Sequence, residues 1–341
     1  MADGTEKEMI NLDALNTPTL LLDEKKARKH IAFMAGKARQ QGIRFRPHFK
    51  THQSAAIGEW FRQEGVNQIT CSSLQMAEYF TQAGWSDILV AFPLNLREIS
   101  RVNQLARAIH LELLVESTAS VSFLLEHLTG QVDVWVKIDT GAGRTGIPAE
   151  ETKTIYEVCC AVLKSHKLHL RGLLTHAGHT YRARSQEQAV ATYQASITLM
   201  NKARNNQLKE GLTGLEISVG DTPGCTLAED LGIVDEIRPG NFIFYDATQA
   251  AIGSCTAEDI AVAVACPVVA VHPYQEKVVV YGGAVHLSSE HYLEGERKVF
   301  GLVTMLNPNG WGTPILGAYV SSLSQEDRKS TRLNSSHVSQ S

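Results

Sequence analysis

The sequence has no Cys-x-x-Cys pair, no long apolar run and no large excess of charge of one sign. Its six cysteines are scattered along 341 residues, which indicates free thiols in a reducing compartment and not a disulfide or thiolate–metal scaffold. No run approaches the roughly 18 apolar residues that a membrane-spanning helix needs. The formal net charge is −4, so neither nucleic acid nor a membrane surface is indicated as a partner.

The first sixteen residues also lack a basic segment followed by an apolar one, so no export signal is indicated and the cytoplasm is the expected location. Apolar residues make up 43% of the chain and charged residues 20%. This balance is ordinary for a globular protein, and the length is sufficient for one large domain and a smaller companion.

Short β-rich runs alternate with helical patterns over about the first two thirds of the chain. In the first helical pattern, apolar residues recur three or four positions apart at Ala27, Ile31, Met34 and Ala38. Eight such alternations predict an α/β fold with a parallel sheet, closed as a (β/α)8 barrel. The alternative is an open doubly wound sheet, whose usual Gly-x-Gly-x-x-Gly after the first strand is absent. The predicted strands are 19–23, 45–50, 68–73, 87–92, 110–117, 132–139, 168–176 and 216–220.

The composition and pattern of the sequence change after residue 246. Segments 260–271 and 277–281 are rich in β-branched residues and are separated by turn signals. We therefore expect a barrel over residues 17–246 and a smaller, mostly antiparallel β-domain made of residues 1–16 and 247–326. Residues 327–341 are serine-rich and lack apolar periodicity, which predicts a disordered tail. Their order resembles translated vector sequence joined to a truncated gene.

The second predicted strand ends in a lysine. Residues alternate along a strand, so Arg46, His48 and Lys50 share one face. If that face lines the barrel, three such groups are costly unless they serve a site. Lys50 would then lie at the C-terminal mouth, where partial burial lowers the pKa of a lysine and provides a neutral amine that can attack an aldehyde. A strand-end lysine that merely reaches solvent would give the same pattern.

Residues suited to an anionic ligand follow the later predicted strands. Arg144 lies in a glycine-rich loop after the sixth strand, and Arg238 provides a second fixed positive charge. Phosphate is often bound in the last loops of a barrel, by hydroxyls and by glycines that allow close backbone approach. In this chain the last predicted strand leads into such a turn, with Ser218, Gly220, Asp221 and Thr222.

The seventh predicted strand is followed by two histidines and a tyrosine. His176 could lie flat on a planar ring, and Tyr181 follows five residues later. The spacing from His176 to His179 also suggests a metal pair, but no third ligand is near in the sequence.

Together these segments resemble a known group of enzymes. They resemble the alanine-racemase-type, fold-type III pyridoxal-phosphate enzymes, and within them the D-threonine aldolase and D-serine dehydratase family. The likeness extends from about residue 17 to residue 325. The segments that carry it are Pro-His-Phe-Lys-Thr-His at 47–52, Lys-Ile-Asp-Thr-Gly-Ala-Gly-Arg-Thr-Gly at 137–146, Gly-Leu-Leu-Thr-His-Ala-Gly-His-Thr-Tyr at 172–181 and Arg-Pro-Gly at 238–240.

The resemblance implies roles for these residues. Lys50 would hold pyridoxal 5'-phosphate as a Schiff base, Arg144 would bind its phenolic oxygen, and His176 would contact the face of its ring. Either Tyr181 or Arg238 would face the pyridine nitrogen. The phosphate cup would consist of Ser218, Gly220, Asp221 and Thr222.

The resemblance also implies an activity. It implies a lyase that acts on a small D-3-hydroxy amino acid, as a dehydratase or as an aldolase. The alternatives are an amino-acid racemase, for which Tyr274, Tyr281 and Tyr319 are available, and a non-catalytic pyridoxal-phosphate-binding protein. By analogy with the family we expect a homodimer.

The family's expected metal is the point at which the sequence departs from the pattern. A divalent ion, zinc or manganese, would be held by a His-x-Asp or His-x-Cys pair near the C-terminus. His286 and His337 lack the second ligand of such a pair. We therefore expect the metal ligands to be missing from this sequence.

Overall fold

The computed structural model of the protein describes residues 11, 14–307, 310–325 and 331–332. The first ten strands are β1 (Thr19–Leu22), β2 (Arg44–Phe45), β3 (Ile69–Cys71), β4 (Asp87–Pro93), β5 (His110–Val115), β6 (Val132–Asp139), β7 (Ile147–Pro148), β8 (Leu168–Leu174), β9 (Glu216–Val219) and β10 (Glu236–Ile237). The helices among and after them are α1 (Glu24–Gln40), α2 (Ala55–Gln63), α3 (Leu74–Gln82), α4 (Ile99–Ala108), α5 (Thr118–His127), α6 (Thr152–Leu163), α7 (Gln186–Lys209), α8 (Thr222–Leu227) and α9 (Ala247–Ile252). The later elements are β11 (Val262–Ala265), β12 (Val268–His272), β13 (Lys277–Val280), α10 (Ala284–Leu287), β14 (Tyr292–Glu294), β15 (Arg297–Val299), β16 (Leu302–Asn307), β17 (Gly310–Tyr319) and β18 (Thr331–Arg332).

The chain divides into two compact units. One unit is Arg28–Ile243, and the other takes in the chain on both sides of that range. The division after residue 243 lies close to residue 246, where the sequence predicts the barrel to end.

The first unit is a ring of eight parallel strands. Their order is β2, β10, β9, β8, β6, β5, β4, β3, and β7 pairs with β6 outside this path. A parallel bridge between His48 and Thr70 joins the two ends of the path. Two backbone hydrogen bonds of 2.9 Å support it, from Phe49 N–H to the Thr70 carbonyl and from Thr70 N–H to the Pro47 carbonyl. The predicted (β/α)8 barrel class is thereby confirmed.

Two of the eight strands differ from the prediction. The run at Thr19–Leu22, predicted as the first barrel strand, pairs antiparallel with Val262–Ala265, and both strands belong to the second unit. The eighth barrel strand is Glu236–Ile237, which pairs in parallel with both β2 and β9. A strand of two residues is too short for an alternating pattern, so no periodicity indicates it. The turn predicted to follow the eighth strand therefore follows the seventh.

Side-chain caps start the barrel helices directly after the strands. The cap side chain accepts a hydrogen bond from a backbone N–H of the first helical turn, which satisfies a donor that the helix leaves unpaired. Along α1 the four apolar positions at Ala27, Ile31, Met34 and Ala38 are buried, as their spacing predicts. The capped starts are at Ser54, Ser73, Ser117, Ser185 and Asp221.

The barrel interior contains both an apolar cluster and buried charges. The cluster consists of Leu89, Leu114, Trp135 and Leu174, from four different strands. The charged part is centred on Arg46, whose side chain is 1% exposed. Buried charges are tolerated only when they are paired and hydrogen-bonded, and the partners of Arg46 are described with the site.

The second unit consists of short antiparallel sheets, as predicted. The pairs are β1 with β11, β12 with β13, β14 with β15, and β16 with β17. An apolar cavity of about 660 Å³ lies among them, lined in part by Leu21, Val264, Phe300 and Trp311.

Most of the predicted tail at 327–341 lies outside the described residues. Within it, Thr331–Arg332 is strand β18 and pairs antiparallel with Lys277–Val278. Among the described helices, none has both the length and the apolar character needed to cross a membrane.

Candidate active site

Lys50 lies just beyond β2, at the C-terminal mouth of the barrel. The neighbouring Phe49 is fully buried, with its ring centroid 4.9 Å from that of Phe61 and 5.0 Å from that of Phe80. This anchored ring fixes the backbone from which Lys50 projects. Lys50 reaches the surface, yet partial burial and then the charges of Arg144 and Arg238 lower its pKa.

Arg46 faces the barrel interior, as the alternation predicts. Its charged partners are carboxylates of the barrel strands and not groups at the mouth. Its guanidinium donates to Glu236 at 2.8 Å, to Glu112 at 2.7 Å and to Asp87 at 2.5 Å. Glu112 also accepts a hydrogen bond of 2.5 Å from the indole N–H of Trp135. These carboxylates, distant in the sequence, offset the cost of burying Arg46.

His48 is a neutral group beside Lys50. Its Nδ1 accepts the backbone N–H of Lys50 at 3.3 Å. Burial, and then the charge of Lys50, hold the pKa of His48 well below its usual value. His48 therefore adds no positive charge to the mouth near neutral pH.

His176 is held in one orientation by the turn after β9. Its Nδ1–H donates to the carbonyl oxygen of Gly220, and its ring centroid lies 6.2 Å from that of Tyr181. Burial lowers the pKa of His176 to about 3, so the ring is neutral. A neutral ring that donates through Nδ1 leaves Nε2 as an acceptor.

The turn at residues 220–222 is tightly packed. A Cβ on Gly220 would lie 2.8 Å from the carbonyl oxygen of Arg238, so only glycine fits there. Asp221 caps α8, because its Oδ1 accepts from Gly224 N–H at 2.6 Å and from the Thr180 hydroxyl at 2.9 Å. Thr222 N–H donates to the hydroxyl oxygen of Tyr181 at 3.1 Å.

Asp221 is unusual within this turn. The carboxyl is buried, and its Oδ2 has no hydrogen-bond partner. Burial raises the pKa of Asp221 to about 6, against the lowering effect of the hydrogen bond from Gly224. The carboxyl is therefore close to neutral at mildly acidic pH.

Arg238 lies at the centre of the positive charge in the mouth. Its Nε–H donates to the Ser218 hydroxyl at 2.7 Å, and an Nη2–H donates to the Thr175 carbonyl at 2.5 Å. Burial lowers its pKa to about 10, so Arg238 remains charged at neutral pH. Its charge contributes to the lowered pKa values of Lys50, His48, His176 and Lys137.

Two carboxylates hold the loop that carries Arg144. Asp139 accepts the backbone N–H groups of Gly141, Ala142 and Gly143, at 2.9 to 3.2 Å. Glu116 accepts the N–H of Gly146 at 2.7 Å. Arg144 itself is exposed, and its charge reaches both Lys50 and Lys137.

Lys137 is a site residue to which the sequence analysis gave no role. It is buried, and its amine donates weakly to the Ile138 carbonyl at 3.4 Å. Burial, together with the charges of Arg238 and Arg144, lowers its pKa to about 7. The alternation along β6 was the available signal, because Lys137 lies two residues after Trp135 and so shares its inward face.

Gly240 is a second residue without an assigned role. A Cβ there would meet the carbonyl oxygen of His48 at 3.0 Å and the Thr51 hydroxyl at 3.2 Å. Gly220 and Gly240 therefore bring three strand ends together at the mouth more closely than any side chain would permit.

Among the described residues, no group of three possible metal ligands includes His176 or His179. The Nδ1 of His176 is bonded to Gly220, whereas His179 lies beside Gly141 and 3.5 Å from the Ser196 hydroxyl. A group with metal-ligand geometry, found in a search of the described residues, is Asp87, His110 and Glu112. Hydrogen bonds to Asp133 and Asp87 raise the pKa of His110 to about 10, so its ring is cationic. This group lies at the start of β4 and β5, at the end of the barrel opposite Lys50.

Comparison with known proteins identifies the family. The family model described as alanine racemase, N-terminal domain, matches residues 22–248. The chain belongs to this family. The predicted resemblance is therefore confirmed, and the barrel with its mouth at Lys50 is the part that the model covers.

Individual relatives are similar over most of the chain. The D-threo-3-hydroxyaspartate dehydratase of Delftia sp. (strain HT23) is 31% identical over 291 residues, which are 84% of this chain and 76% of that protein. Its solved structure has a TM-score of 0.84 and covers 94% of this chain and 85% of that one. The D-serine dehydratase of Dictyostelium discoideum is 28% identical, over 82% and 75% of the two chains. The 3-hydroxy-D-aspartate aldolase of Paracoccus denitrificans (strain Pd 1222) is 27% identical, over 68% and 61%.

Proposed function

We propose that the protein is a pyridoxal-phosphate-dependent lyase that acts on a D-3-hydroxy amino acid. The observation that carries the proposal is the amine of Lys50 at the mouth of the barrel. Its pKa is lowered by burial and by two arginines from other strand ends. An amine with a lowered pKa in a cationic pocket is suited to an aldehyde that also carries a phosphate.

The residues at the mouth fit this cofactor. Besides burial, the charges of Arg144 and Arg238 lower the pKa of both Lys50 and Lys137, so the mouth has positive charge to share with an anion. The turn at Gly220 has no room for a Cβ and the turn at Gly240 has little, which is typical of places where backbone N–H groups approach a ligand. We assign the aldehyde carbon to Lys50 and the phosphate to the turn formed by Gly220, Asp221 and Thr222.

The remaining assignments follow from the placement of each side chain. Arg144 would bind the phenolic oxygen, and His176, neutral and fixed by Gly220, would lie against the ring. Tyr181 contacts Thr222 N–H, so its hydroxyl lies beside the phosphate turn, and Arg238 is the stronger candidate to face the pyridine nitrogen. Ser218 was predicted in the phosphate cup, but its hydroxyl is engaged with Glu236 and Arg238. We therefore place Ser218 behind the cup.

When bound, the cofactor supplies a ring that withdraws electrons from the substrate Cα. The chain's own residues would bind the substrate and move protons. The Nζ of Lys50 is the group placed to accept a proton from Cα or from the β-hydroxyl, and its pKa is lowered by burial and by the charges of Arg144 and Arg238. Arg144 would hold negative charge close to that amine. Loss of the β-hydroxyl gives a dehydratase, and cleavage between Cα and Cβ gives an aldolase.

Relatives of both reaction types support the lyase class, since two are named dehydratases and one an aldolase. We favour the dehydratase, because the two dehydratases match more of this chain. The Asp87, His110 and Glu112 group does not fit a catalytic metal, because it contains a cationic ring and is bonded to Arg46. We assign no step to a metal.

The cofactor assignment is tested by borohydride reduction of the protein after incubation with pyridoxal 5'-phosphate. We expect the cofactor to be fixed on the peptide that contains Lys50. Lys50→Ala should lose the visible absorbance and keep its thermal transition, because no apolar core is removed. Lys153→Ala is the matched control, since the Lys153 side chain is 89% exposed. Label on another lysine, or none in the wild type, would refute the assignment.

A further inference from the structure

A buried relay of hydrogen bonds crosses the barrel interior from Arg46 to Arg238. Arg46 Nε–H donates to Glu236 at 2.8 Å, and the Ser218 hydroxyl donates to the other oxygen of Glu236 at 2.7 Å. Arg238 Nε–H then donates to the Ser218 oxygen at 2.7 Å. All four side chains are buried, and Glu236 and Ser218 are fully so.

The direction of the relay is set by the charge of Glu236. Burial acts to raise the pKa of Glu236, but the charge and hydrogen bond of Arg46, the hydrogen bond from Ser218 and the charge of Arg238 together outweigh it, and the pKa lies below its usual value. An ionised carboxylate only accepts, so the one hydrogen of the Ser218 hydroxyl must point to Glu236. The lone pairs of that oxygen then face Arg238. Ser218 and Glu236 are direct partners in the register of β9 and β10, so the backbone maintains this contact.

These hydrogen bonds constrain the guanidinium of Arg238. With Nε bonded to Ser218 and Nη2 bonded to the Thr175 carbonyl, its plane is fixed at two points. Glu236 is also the main favourable charge acting on Arg238. The negative charge of Glu236 therefore offsets part of the electrostatic effect that the positive charge of Arg238 has on Lys50.

We propose that Glu236 and Ser218 are a positioning pair for Arg238. The pair fixes the guanidinium of Arg238 at the barrel mouth and offsets its charge. Glu236 and Ser218 therefore act on a bound cofactor only through Arg238. The proposal rests on the proposed function for its consequences at the cofactor. The hydrogen bond itself is a property of the protein alone.

The first test needs no cofactor. The Nε–H of Arg238 should be protected from hydrogen exchange, with an NMR resonance identified by its loss in Arg238→Lys. Ser218→Ala removes the acceptor but keeps the ion pair between Glu236 and Arg46, so we expect protection to be lost. Glu78→Gln is the control, since Glu78 lies on helix α3 and pairs with Arg101 at 3.4 Å, away from the relay.

The second test uses the protein loaded with pyridoxal 5'-phosphate. Glu236→Gln keeps the shape but removes the charge, and its amide would donate to Ser218, leaving the hydroxyl hydrogen without an acceptor. The added net positive charge should lower the midpoint of the cofactor's spectral pH titration by about half a pH unit, as expected for a unit charge removed beyond direct contact. Glu78→Gln should leave the midpoint unchanged. Ser218→Ala should weaken cofactor binding about tenfold, the scale of a hydrogen bond to a charged group.

The outcomes separate the two proposals. If the wild type does not bind the cofactor at Lys50, the proposed function fails, and the exchange test still decides the relay. If the wild type binds it, an unchanged midpoint in folded Glu236→Gln with wild-type affinity in Ser218→Ala would overturn the positioning role. If Glu236→Gln does not fold, Ser218→Ala alone decides, because it preserves the buried ion pair.

Discussion

Replacing Gly220 by alanine should disturb the proposed phosphate turn more than its size suggests. The added Cβ would lie 2.8 Å from the carbonyl oxygen of Arg238 and 3.0 Å from its carbonyl carbon and Cβ. These are mainly backbone atoms of the next strand end, so they cannot move aside as a flexible side chain would. Either the turn or the segment of Arg238 must shift. Overpacking of this kind typically costs about 1–3 kcal/mol.

The measurements are the free energy of unfolding in urea and the dissociation constant of pyridoxal 5'-phosphate. We expect Gly220→Ala to lose stability in the range given above. We also expect cofactor affinity to fall at least about tenfold, since a further 1.4 kcal/mol lost in the complex corresponds to that factor. Gly36→Ala is the control, because no atom lies within 4 Å of the Cβ it would add. In the interior of α1 it should stabilise the protein by about 0.5–1 kcal/mol.

The reasoning would be refuted if Gly220→Ala matched the wild type in both measurements. A loss of stability with unchanged affinity would place the phosphate elsewhere while leaving the packing argument intact. A loss of affinity with unchanged stability would show that the turn relaxes freely in the absence of cofactor.

Further predictions concern single side chains. Thr222→Val should weaken cofactor binding by about 1–2 kcal/mol in a titration, the scale of one hydrogen bond, and equal affinity would contradict it. Glu112→Ala should destabilise the protein by about 3–5 kcal/mol in urea unfolding, because it leaves Arg46 buried with less compensation; a loss below 1 kcal/mol would contradict it. The pKa of His110 is raised from its usual 6.5 to about 10, so its contribution to stability is complete below pH 6.5 and is lost as the pH rises through about 10. Melting curves of His110→Gln should lack this part of the alkaline decline, and an unaltered pH profile would count against the pairing. With D-serine or D-threonine as substrate we expect an oxo acid, or glycine and an aldehyde, whereas interconversion of enantiomers without breakdown would favour a racemase.

The barrel could be read from the sequence because its signals are local. Each buried strand is a short β-rich run, and each following helix has its own apolar spacing and usually its own serine cap. The two wrongly predicted barrel strands are places where the local pattern is absent or does not reveal the pairing partner. Thr19–Leu22 is a good strand sequence whose partner, Val262–Ala265, lies far away, and Glu236–Ile237 is too short to show a period.

The site could be read in outline for a related reason. Lys50, Arg144 and His176 lie at or just after the end of a predicted strand, and the carboxyl ends of parallel strands meet at one mouth. Arg238 follows Glu236–Ile237, the strand that was not predicted. The sequence therefore determined which residues gather there. Their individual roles at the cofactor remain predictions.

Only the tertiary structure decided how the buried charges are partnered. Arg46 shares a strand face with Lys50, but its partners Glu112 and Glu236 are 66 and 190 positions away in the chain. The hydroxyl of Ser218, a predicted phosphate ligand, lies between Glu236 and Arg238. A sequence fixes the direction of a side chain through the period of its strand. The group that the side chain meets depends on which strands become neighbours when the barrel closes, and no local pattern records that.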